Sequence, residues 1–366
     1  MIIGCTKEIR THEYRVGLTP ENVRAYVAHG HKVYIEKGAG LGAGYIDQDY
    51  IDVGAVILDT PQEVFGIAEM IVKVKEPEPS EWKYFKEGQI LFTFLHLAAN
   101  KPLADELLNK KINAVAYETI TDKKGQLPCL KPMSQIAGRL SIQEGAKYLE
   151  KAQGGRGILM GGIKGVPAAQ VVIIGVGVAG TAAMDVADGM GAEITILDIN
   201  KTKIEEPNFL GYNVVKRLQA TKANIIKSLT KADLVICSVL IPGEKAPKLI
   251  KREYLKKMKP GSVIVDISID QGGCLETSRV TTHQNPVYVE EGVIHYSVGN
   301  MPGVVPISST IALTNATLKY GLLIADNGLE KAIALDKGLK IGVNTYQGKC
   351  VNNSVAKALG YNVKQF

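Results

Sequence analysis

The chain opens with short runs of apolar, β-branched residues, separated by segments whose apolar residues recur at helical spacing. Segments 20–29 and 101–109 predict helices on this basis. The intervening runs predict strands at residues 2–4, 32–35, 55–58, 71–75, 90–95 and 114–117. This alternation is typical of βαβ units on a mostly parallel sheet.

A second series begins after the glycine-rich segment 154–165, which we interpret as a connection. Its strand-like runs cover residues 171–175, 193–197, 234–238 and 262–267. In the tail, the long periodic segment 307–324 predicts a helix and the run 339–344 predicts a strand. The two series indicate two domains, because 366 residues exceed what one hydrophobic core usually organises.

The composition is that of a folded, soluble protein, with 46% hydrophobic and 22% charged residues. The net charge is +6, and the basic residues are scattered, so they give no sign of nucleic-acid binding, although a mild positive field favours anionic substrates.

Met1 leads directly into a strand, so we expect no signal peptide, and the longest apolar run, 171–184, is too short to span a membrane. The odd number of cysteines, none in a CxxC pair, indicates reduced thiols and a cytoplasmic location. They are Cys5, Cys129, Cys237, Cys274 and Cys350.

Residues 171–180, VVIIGVGVAG, place a GxGxxG motif directly after a buried strand and before a predicted helix. Gly175 permits the tight turn, Gly177 lets the backbone approach a pyrophosphate, and Gly180 lets the helix pack closely on the sheet. The helix N-terminus then offers N–H groups and a positive dipole to the phosphates. The next strand, EITILD, ends in Asp198, which can bond both ribose hydroxyls and repels a 2′-phosphate. The motif therefore predicts a Rossmann-type site that prefers NAD to NADP, the alternative being that Asp198 is an ordinary loop carboxylate.

Three polar residues follow apolar strands, at the ends where open α/β sheets bind ligands. Lys75 ends IVKVK, His96 ends ILFTFLH and Asp270 follows SVIVDISI. Each has a structural alternative. Lys73 and Lys75 share one face by strand parity, so one or both could be solvated. His96 could be a satisfied structural histidine, Asp270 could cap the turn DQGG, and Arg15 would on its own be a surface arginine.

Together these side chains suit an amino or keto acid. A guanidinium holds a carboxylate through two hydrogen bonds, and a lysine adds positive charge near the carboxylate or carbonyl group. A histidine exchanges protons near neutral pH, and a carboxylate positions or deprotonates water.

At these same residues the chain resembles the alanine dehydrogenase family along essentially its whole length. The similar stretches are MIIGCTKEIRTHEYRVGLTP, IVKVKEP, FTFLHLA, KPMSQIAGR and, most specifically, DISIDQGGCLETSRVTTHQNPVYVEEGVIHYSVGNMPGVVP. The resemblance implies reversible oxidative deamination of L-alanine to pyruvate and ammonia, with NAD as cofactor.

The resemblance also implies roles for individual residues. Arg15 and Lys75 match the substrate-binding pair, and His96 and Asp270 match the catalytic pair. Met133 and the pair Asn300 and Met301 would lie near the nicotinamide. The positions expected to contact the cofactor are Ser134, Gly175, Gly177, Val178, Ala179, Gly180, Asp198, Lys203, Val239, Leu240, Ile267, Asp270, Arg279, Val298, Asn300 and Met301.

The fold class implied is α/β, with two Rossmann-like doubly wound domains separated by a cleft. The substrate domain would comprise residues 1–128 plus 306–366, and the NAD-binding domain residues 129–305. The family's common assembly is a homohexamer, and neither nucleic acid nor a membrane is an expected partner.

Some positions depart from the family pattern. Gln135 stands where Glu is frequent, Ile307 replaces a common Arg, and Ala220 replaces a serine that contacts adenosine. Some members hold a metal between a Glu and a His. Here Glu118 is present but the histidine position holds Asn327, so no metal is predicted.

Two other functions are open to this sequence. One is the NAD(H)-binding component of a proton-translocating transhydrogenase, against which the complete set of four polar residues and the absence of a membrane segment argue. The other is an opine- or saccharopine-type dehydrogenase, which joins an amino acid to a keto acid.

Overall fold

The computed structural model describes residues 1–205, 211–239 and 245–364. The packing of the backbone divides the chain into two compact units. The first unit comprises Met1–Met133 and Gly303–Phe366, and the second comprises Ser134–Pro302. These bounds differ by a few residues from the domains predicted at 1–128 plus 306–366 and at 129–305.

The N-terminal part of the first unit alternates strands and helices. Side-chain caps fix several helix starts; Thr19, for example, accepts the backbone N–H of Asn22 just before a proline at the first helical position. The strands are β1 (Ile2–Cys5), β2 (Lys32–Glu36), β3 (Val56–Leu58), β4 (Met70–Val72), β5 (Ile90–Thr93) and β6 (Asn113–Ala116). The helices are α1 (Pro20–Ala28), α2 (Asp47–Ile51), α3 (Pro61–Ile67), α4 (Lys101–Asn109) and α5 (Lys131–Tyr148), and the boundary between the units falls within α5.

The second unit repeats the alternation. Its strands are β7 (Gln170–Ile174), β8 (Glu193–Asp198), β9 (Val214–Gln219), β10 (Leu234–Cys237), β11 (Val263–Asp266), β12 (Val287–Glu290) and β13 (Val293–Tyr296). Its further helices are α6 (Val178–Gly189), α7 (Lys201–Ile204), α8 (Lys222–Leu229) and α9 (Arg252–Leu255).

The C-terminal tail returns to the first unit. It forms α10 (Pro306–Asn327), α11 (Leu329–Leu335), α12 (Lys337–Gly342), β14 (Val343–Tyr346), β15 (Lys349–Cys350) and α13 (Asn353–Leu359). The strand predicted at 339–344 is wrong over most of its length, because Asp336 accepts the backbone N–H of Leu339 and starts a helix there. A short apolar run fits a buried helix turn as well as a strand.

Each unit is built on one mainly parallel sheet. The first sheet has the order β15-β14-β6-β5-β4-β1-β2-β3, with β14 antiparallel to β6 and the strands from β6 to β3 parallel. The second has the order β12-β13-β11-β10-β7-β8-β9, and among its described strands only the pair β12 and β13 is antiparallel. Apolar residues of α3 and α4 pack on β4 and β5 in the first unit, and those of α8 and α9 pack on β7 and β11 in the second. The predicted α/β class with two Rossmann-like units is confirmed.

Candidate active site

Arg15 of the first unit is a buried arginine, not a surface one. Its side chain is 2% exposed. It forms a bidentate ion pair with Glu13, in which Nε lies 2.7 Å from Oε1 and Nη2 lies 2.5 Å from Oε2. Its third nitrogen, Nη1, lies 3.1 Å from the sulfur of Met133. Glu13 therefore fixes the plane of the guanidinium and leaves its Nη1 edge directed toward Met133.

Lys73 and Lys75 have opposite surroundings. The alternation of side chains along a strand places both on one face and so could not distinguish them. Lys73 is fully buried, and its ammonium nitrogen lies 2.9 Å from Glu81 and 3.4 Å from Glu8. Burial alone lowers the pKa of Lys73, but these two carboxylates more than offset that effect and raise the pKa above its usual range. Lys75 is 8% exposed, and among the described residues its ammonium group has no hydrogen-bond or ionic partner. Lys73 is therefore a structural ion-pair partner, and Lys75 is a nearly buried cation that can take an anion.

The carboxylate of Glu8 positions the backbone at Lys75. One of its oxygens accepts the backbone N–H of Val74 at 2.7 Å and that of Lys75 at 3.3 Å. The Lys75 carbonyl in turn accepts the hydroxyl of Thr93 at 3.0 Å, which ties the segment after β4 to the end of β5. Burial raises the pKa of Glu8, while the neighbouring Lys73 opposes this rise. These bonds explain why β4 ends at Val72, earlier than the sequence predicts.

His96 lies on the segment after β5, exposed and in a left-handed backbone conformation with φ 48° and ψ 36°. Its backbone N–H donates to Glu118 at 2.7 Å, and its ring stacks parallel to that of Phe94 with 5.8 Å between centroids. Within the described chain neither ring nitrogen of His96 has a hydrogen-bond partner. The alternative of a satisfied, buried structural histidine does not fit this environment.

The residues at the position of the family's metal pair do not fit a metal centre. Both oxygens of Glu118 accept backbone N–H groups, and the amide of Asn327 donates to the Leu323 carbonyl of its own helix at 3.0 Å. No cluster of three or more His, Cys, Asp or Glu side chains suited to a metal lies in the part of the chain that the structure describes.

In the second unit, the glycine motif forms the turn between β7 and α6. Gly175 has φ +94°, and a Cβ at Gly180 would lie 1.9 Å from the Gly175 carbonyl oxygen, so neither position accepts another residue without strain. No heavy atom lies within 4 Å of the place a Cβ would take at Gly177, among the residues described. Gly177, just before α6, thus leaves space for a group to approach the backbone, which fits the pyrophosphate of a dinucleotide at the helix N-terminus.

Asp198 lies at the carboxyl end of β8 and is 9% exposed. Its Oδ2 accepts the backbone N–H of Val176 within the glycine turn at 2.8 Å, and its Oδ1 accepts that of Asn200 at 2.9 Å. Because each carboxylate oxygen has two acceptor sites, both can still accept a ribose hydroxyl.

Asp270 is an exposed residue of the short 3₁₀ helix Ile267–Gln271 that follows β11. Its carboxylate accepts the backbone N–H of Asn300, with distances of 3.3 and 3.4 Å to its two oxygens. Asn300 has φ 62° and so, like His96, is one of the non-glycine residues with a left-handed backbone. The structure therefore brings together Asp270 and Asn300, which the sequence separates by 30 residues.

Three of the remaining predicted cofactor positions follow the carboxyl ends of strands in the second sheet. Val239 follows β10, Ile267 follows β11 and Val298 follows β13, so with Gly175 after β7 they mark the carboxyl ends of adjacent parallel strands. Ser134 lies in α5, Val178 and Ala179 in the first turn of α6, Lys203 in α7, Arg279 before β12 and Met301 at the start of the 3₁₀ helix Met301–Val304. Leu240 lies outside the described residues.

Local sequence patterns gave no indication that three carboxylates hold these residues in place. Glu13, Glu8 and Glu118 each bond the backbone or side chain of a predicted site residue. Glu13 lies two residues before Arg15, but the other two act across 67 and 22 residues, and no local pattern connects them to their partners.

Two family descriptions match the chain: "Alanine dehydrogenase/PNT, N-terminal domain" over residues 4–137 and "Alanine dehydrogenase/PNT, C-terminal domain" over residues 141–353. The chain is 54% identical to an alanine dehydrogenase of Methanococcus maripaludis, over 98% of this chain and 96% of that protein. It is 49% identical to an alanine dehydrogenase of Bacillus subtilis, over 99% and 95%.

Solved structures give the same picture. An L-alanine dehydrogenase matches with a TM-score of 0.94 and 45% identity, over 98% of this chain and 99% of that one. A transhydrogenase from Sinorhizobium meliloti matches less closely, with a TM-score of 0.81 and 25% identity, over 97% and 100%. Among the described helices, none is both long enough and apolar enough to cross a membrane.

Proposed function

The chain belongs to the alanine dehydrogenase and pyridine nucleotide transhydrogenase family, and from that premise we propose that it is an NAD-dependent alanine dehydrogenase. The reaction is the reversible oxidative deamination of L-alanine to pyruvate and ammonia. The first unit binds the substrate and the second binds the cofactor. By the same resemblance the enzyme is a cytoplasmic homohexamer.

The observation that carries the proposal is the contrast between Lys73 and Lys75. A nearly buried ammonium group without a counter-charge is costly, and an anionic ligand removes that cost. Lys75 has such an ammonium group, whereas Lys73 has two carboxylate partners. A substrate carboxylate is the anion that the family resemblance supplies, and the guanidinium of Arg15 is the second cation for it.

The steps follow from the chemistry of the side chains. Arg15 and Lys75 hold the carboxylate of alanine or pyruvate. When bound, the nicotinamide cofactor supplies the hydride-transfer chemistry. Asp270, as an acceptor of protons, activates the water that attacks iminopyruvate, and His96 shuttles protons as the carbinolamine collapses to pyruvate and ammonia.

The cofactor is held by the glycine turn and by Asp198. The N-terminus of α6 receives the pyrophosphate, and the carboxylate of Asp198 bonds the ribose hydroxyls. A 2′-phosphate would bring negative charge next to that carboxylate, and this repulsion supports NAD over NADP. The other residues proposed to contact the cofactor are the remaining members of the set predicted from the sequence.

An assay of NADH oxidation tests the proposal against its two alternatives. The enzyme should oxidise NADH only when pyruvate and ammonium are both present. A transhydrogenase component would need a second nucleotide in place of both, and an opine-type dehydrogenase would accept a second amino acid in place of ammonium. NADH oxidation that continues at the same rate when ammonium is omitted would contradict the proposal.

The sequence comparisons also favour the amino-acid reaction. The chain is 25% identical to the transhydrogenase and about twice as similar, by identity, to two alanine dehydrogenases.

A further inference from the structure

The carboxylate of Glu118 accepts hydrogen bonds from the backbone of the turn that carries His96. Its Oε1 lies 2.7 Å from the backbone nitrogen of His96 and 3.3 Å from that of Leu95, and its Oε2 lies 3.2 Å from the latter. Glu118 follows β6 and His96 follows β5, and these strands are parallel neighbours in the first sheet. The carboxylate therefore spans the gap between two adjacent strand ends.

The conformation of His96 needs such support. Residues other than glycine rarely adopt a left-handed backbone, and they persist there only when the surroundings enforce it. On the far side of the turn, the His96 carbonyl accepts the backbone N–H of Ala99 at 3.0 Å. Two consecutive backbone N–H groups, those of Leu95 and His96, donate to this one carboxylate.

We propose that Glu118 is a positioning residue, which holds the His96 imidazole for proton transfer by fixing its backbone in the left-handed conformation. The proposal rests on the proposed function, because it assigns Glu118 a task in that reaction. Phe94 completes the arrangement, since its ring lies parallel to the imidazole, at an interplanar angle of 3°. Glu118 itself touches neither substrate nor cofactor in this account.

Glu118→Gln is the direct test. The neutral amide lacks the negative charge that strengthens these bonds, and only its carbonyl oxygen can accept a backbone N–H, because its NH₂ group is a donor. We expect kcat to fall by about 10-fold or more, with the KM for pyruvate and the affinity for NADH changed by less than about 2-fold. If the substitution only reduced the amount of folded protein, kcat and the number of NADH-binding sites would fall by the same factor, and that result would contradict the proposal.

Asp122→Asn is the matched control. The Asp122 carboxylate also accepts two backbone N–H groups, those of Lys124 and Gln126, each at 2.8 Å, in an exposed turn of the same unit. Asp122→Asn should change the melting temperature about as much as Glu118→Gln does, but it should keep the wild-type kcat. An equal loss of kcat in both variants would reduce Glu118 to a general structural role and overturn the proposal.

A double-mutant cycle separates action through His96 from an independent role. If Glu118 works only by placing His96, Glu118→Gln should lower kcat little further once His96 is alanine. Two effects that multiply would overturn the proposal, as would a Glu118→Gln enzyme with wild-type kcat.

A crystal structure of the Glu118→Gln variant gives a readout that does not depend on activity. His96 should leave the left-handed region or lose its stacking on Phe94, and an unchanged turn would overturn the proposal. If instead the wild-type protein failed to combine pyruvate with ammonium, the proposed function would be wrong, while the crystal structure would still report whether Glu118 sets the His96 turn.

Discussion

The carboxylate of Asp198 accepts the backbone N–H of Val176 at 2.8 Å, which joins the acidic end of β8 to the middle of the glycine turn. The two parts of the nucleotide motif are thus one hydrogen-bonded structure. A change at Asp198 should affect both the ribose contact and the shape of the phosphate turn.

Asp198→Ala should weaken NADH binding by about 10-fold or more, because bonds to a charged acceptor contribute about 1.5–3 kcal/mol. The preference over NADPH should narrow, since the repulsion of a 2′-phosphate is removed. Fluorescence titration with both nucleotides measures each Kd. Asp188→Asn is the control, because Asp188 also accepts a backbone N–H in this unit, from Asn213 at 2.6 Å. A wild-type enzyme that used NADPH as well as NADH would show that Asp198 has another role.

Lys73→Met and Lys75→Met should have opposite consequences. Lys73→Met leaves the buried Glu8 and Glu81 carboxylates without their cation, so the free energy of unfolding should fall by about 3–5 kcal/mol. Lys75→Met removes a cation that has no partner among the described residues, so stability should hold while the KM for pyruvate rises steeply. Urea unfolding and steady-state kinetics on both variants measure this. A large loss of stability in Lys75→Met with normal KM would contradict the assignment.

Arg15→Lys keeps the charge but loses the planar fork that matches Glu13. We expect a higher KM for pyruvate and a lower kcat, because a single ammonium group cannot hold both Glu13 and the substrate in the same geometry. Arg24→Lys, in an exposed pair with Glu21 at 3.7 Å, is the control and should leave both constants unchanged. Unchanged kinetics in Arg15→Lys would remove Arg15 from the site.

His96→Ala and Asp270→Asn should each lower kcat by about 10²–10⁴-fold, the usual contribution of a general acid or base. NADH should still bind, and the melting temperatures should change little because both side chains are exposed. Steady-state kinetics measures kcat, nucleotide titration measures NADH binding, and thermal unfolding measures the melting temperature. Normal turnover by His96→Ala would eliminate its catalytic assignment.

The alternation of strands and helices and the glycine turn were predictable because each depends on residues close together in sequence. The ends of β4 and β5 were not, since the carboxylates of Glu8 and Glu118 take over the backbone N–H groups from a distance in sequence. Strand parity placed Lys73 and Lys75 on one face, but only the positions of Glu8 and Glu81 distinguish them. Leu339 belongs to a helix because of a cap at Asp336 that the apolar run conceals.

We expect this chain to join ammonia to pyruvate with NADH as the reductant. Incubation with pyruvate, NADH and ¹⁵N-labelled ammonium, followed by NMR of the products, tests it most directly. The expected product is L-alanine carrying the label, in an amount equal to the NADH consumed, and the Asp122→Asn control should form it as well. NADH consumption without label in alanine, or label found only in a product of two joined acids, would contradict it.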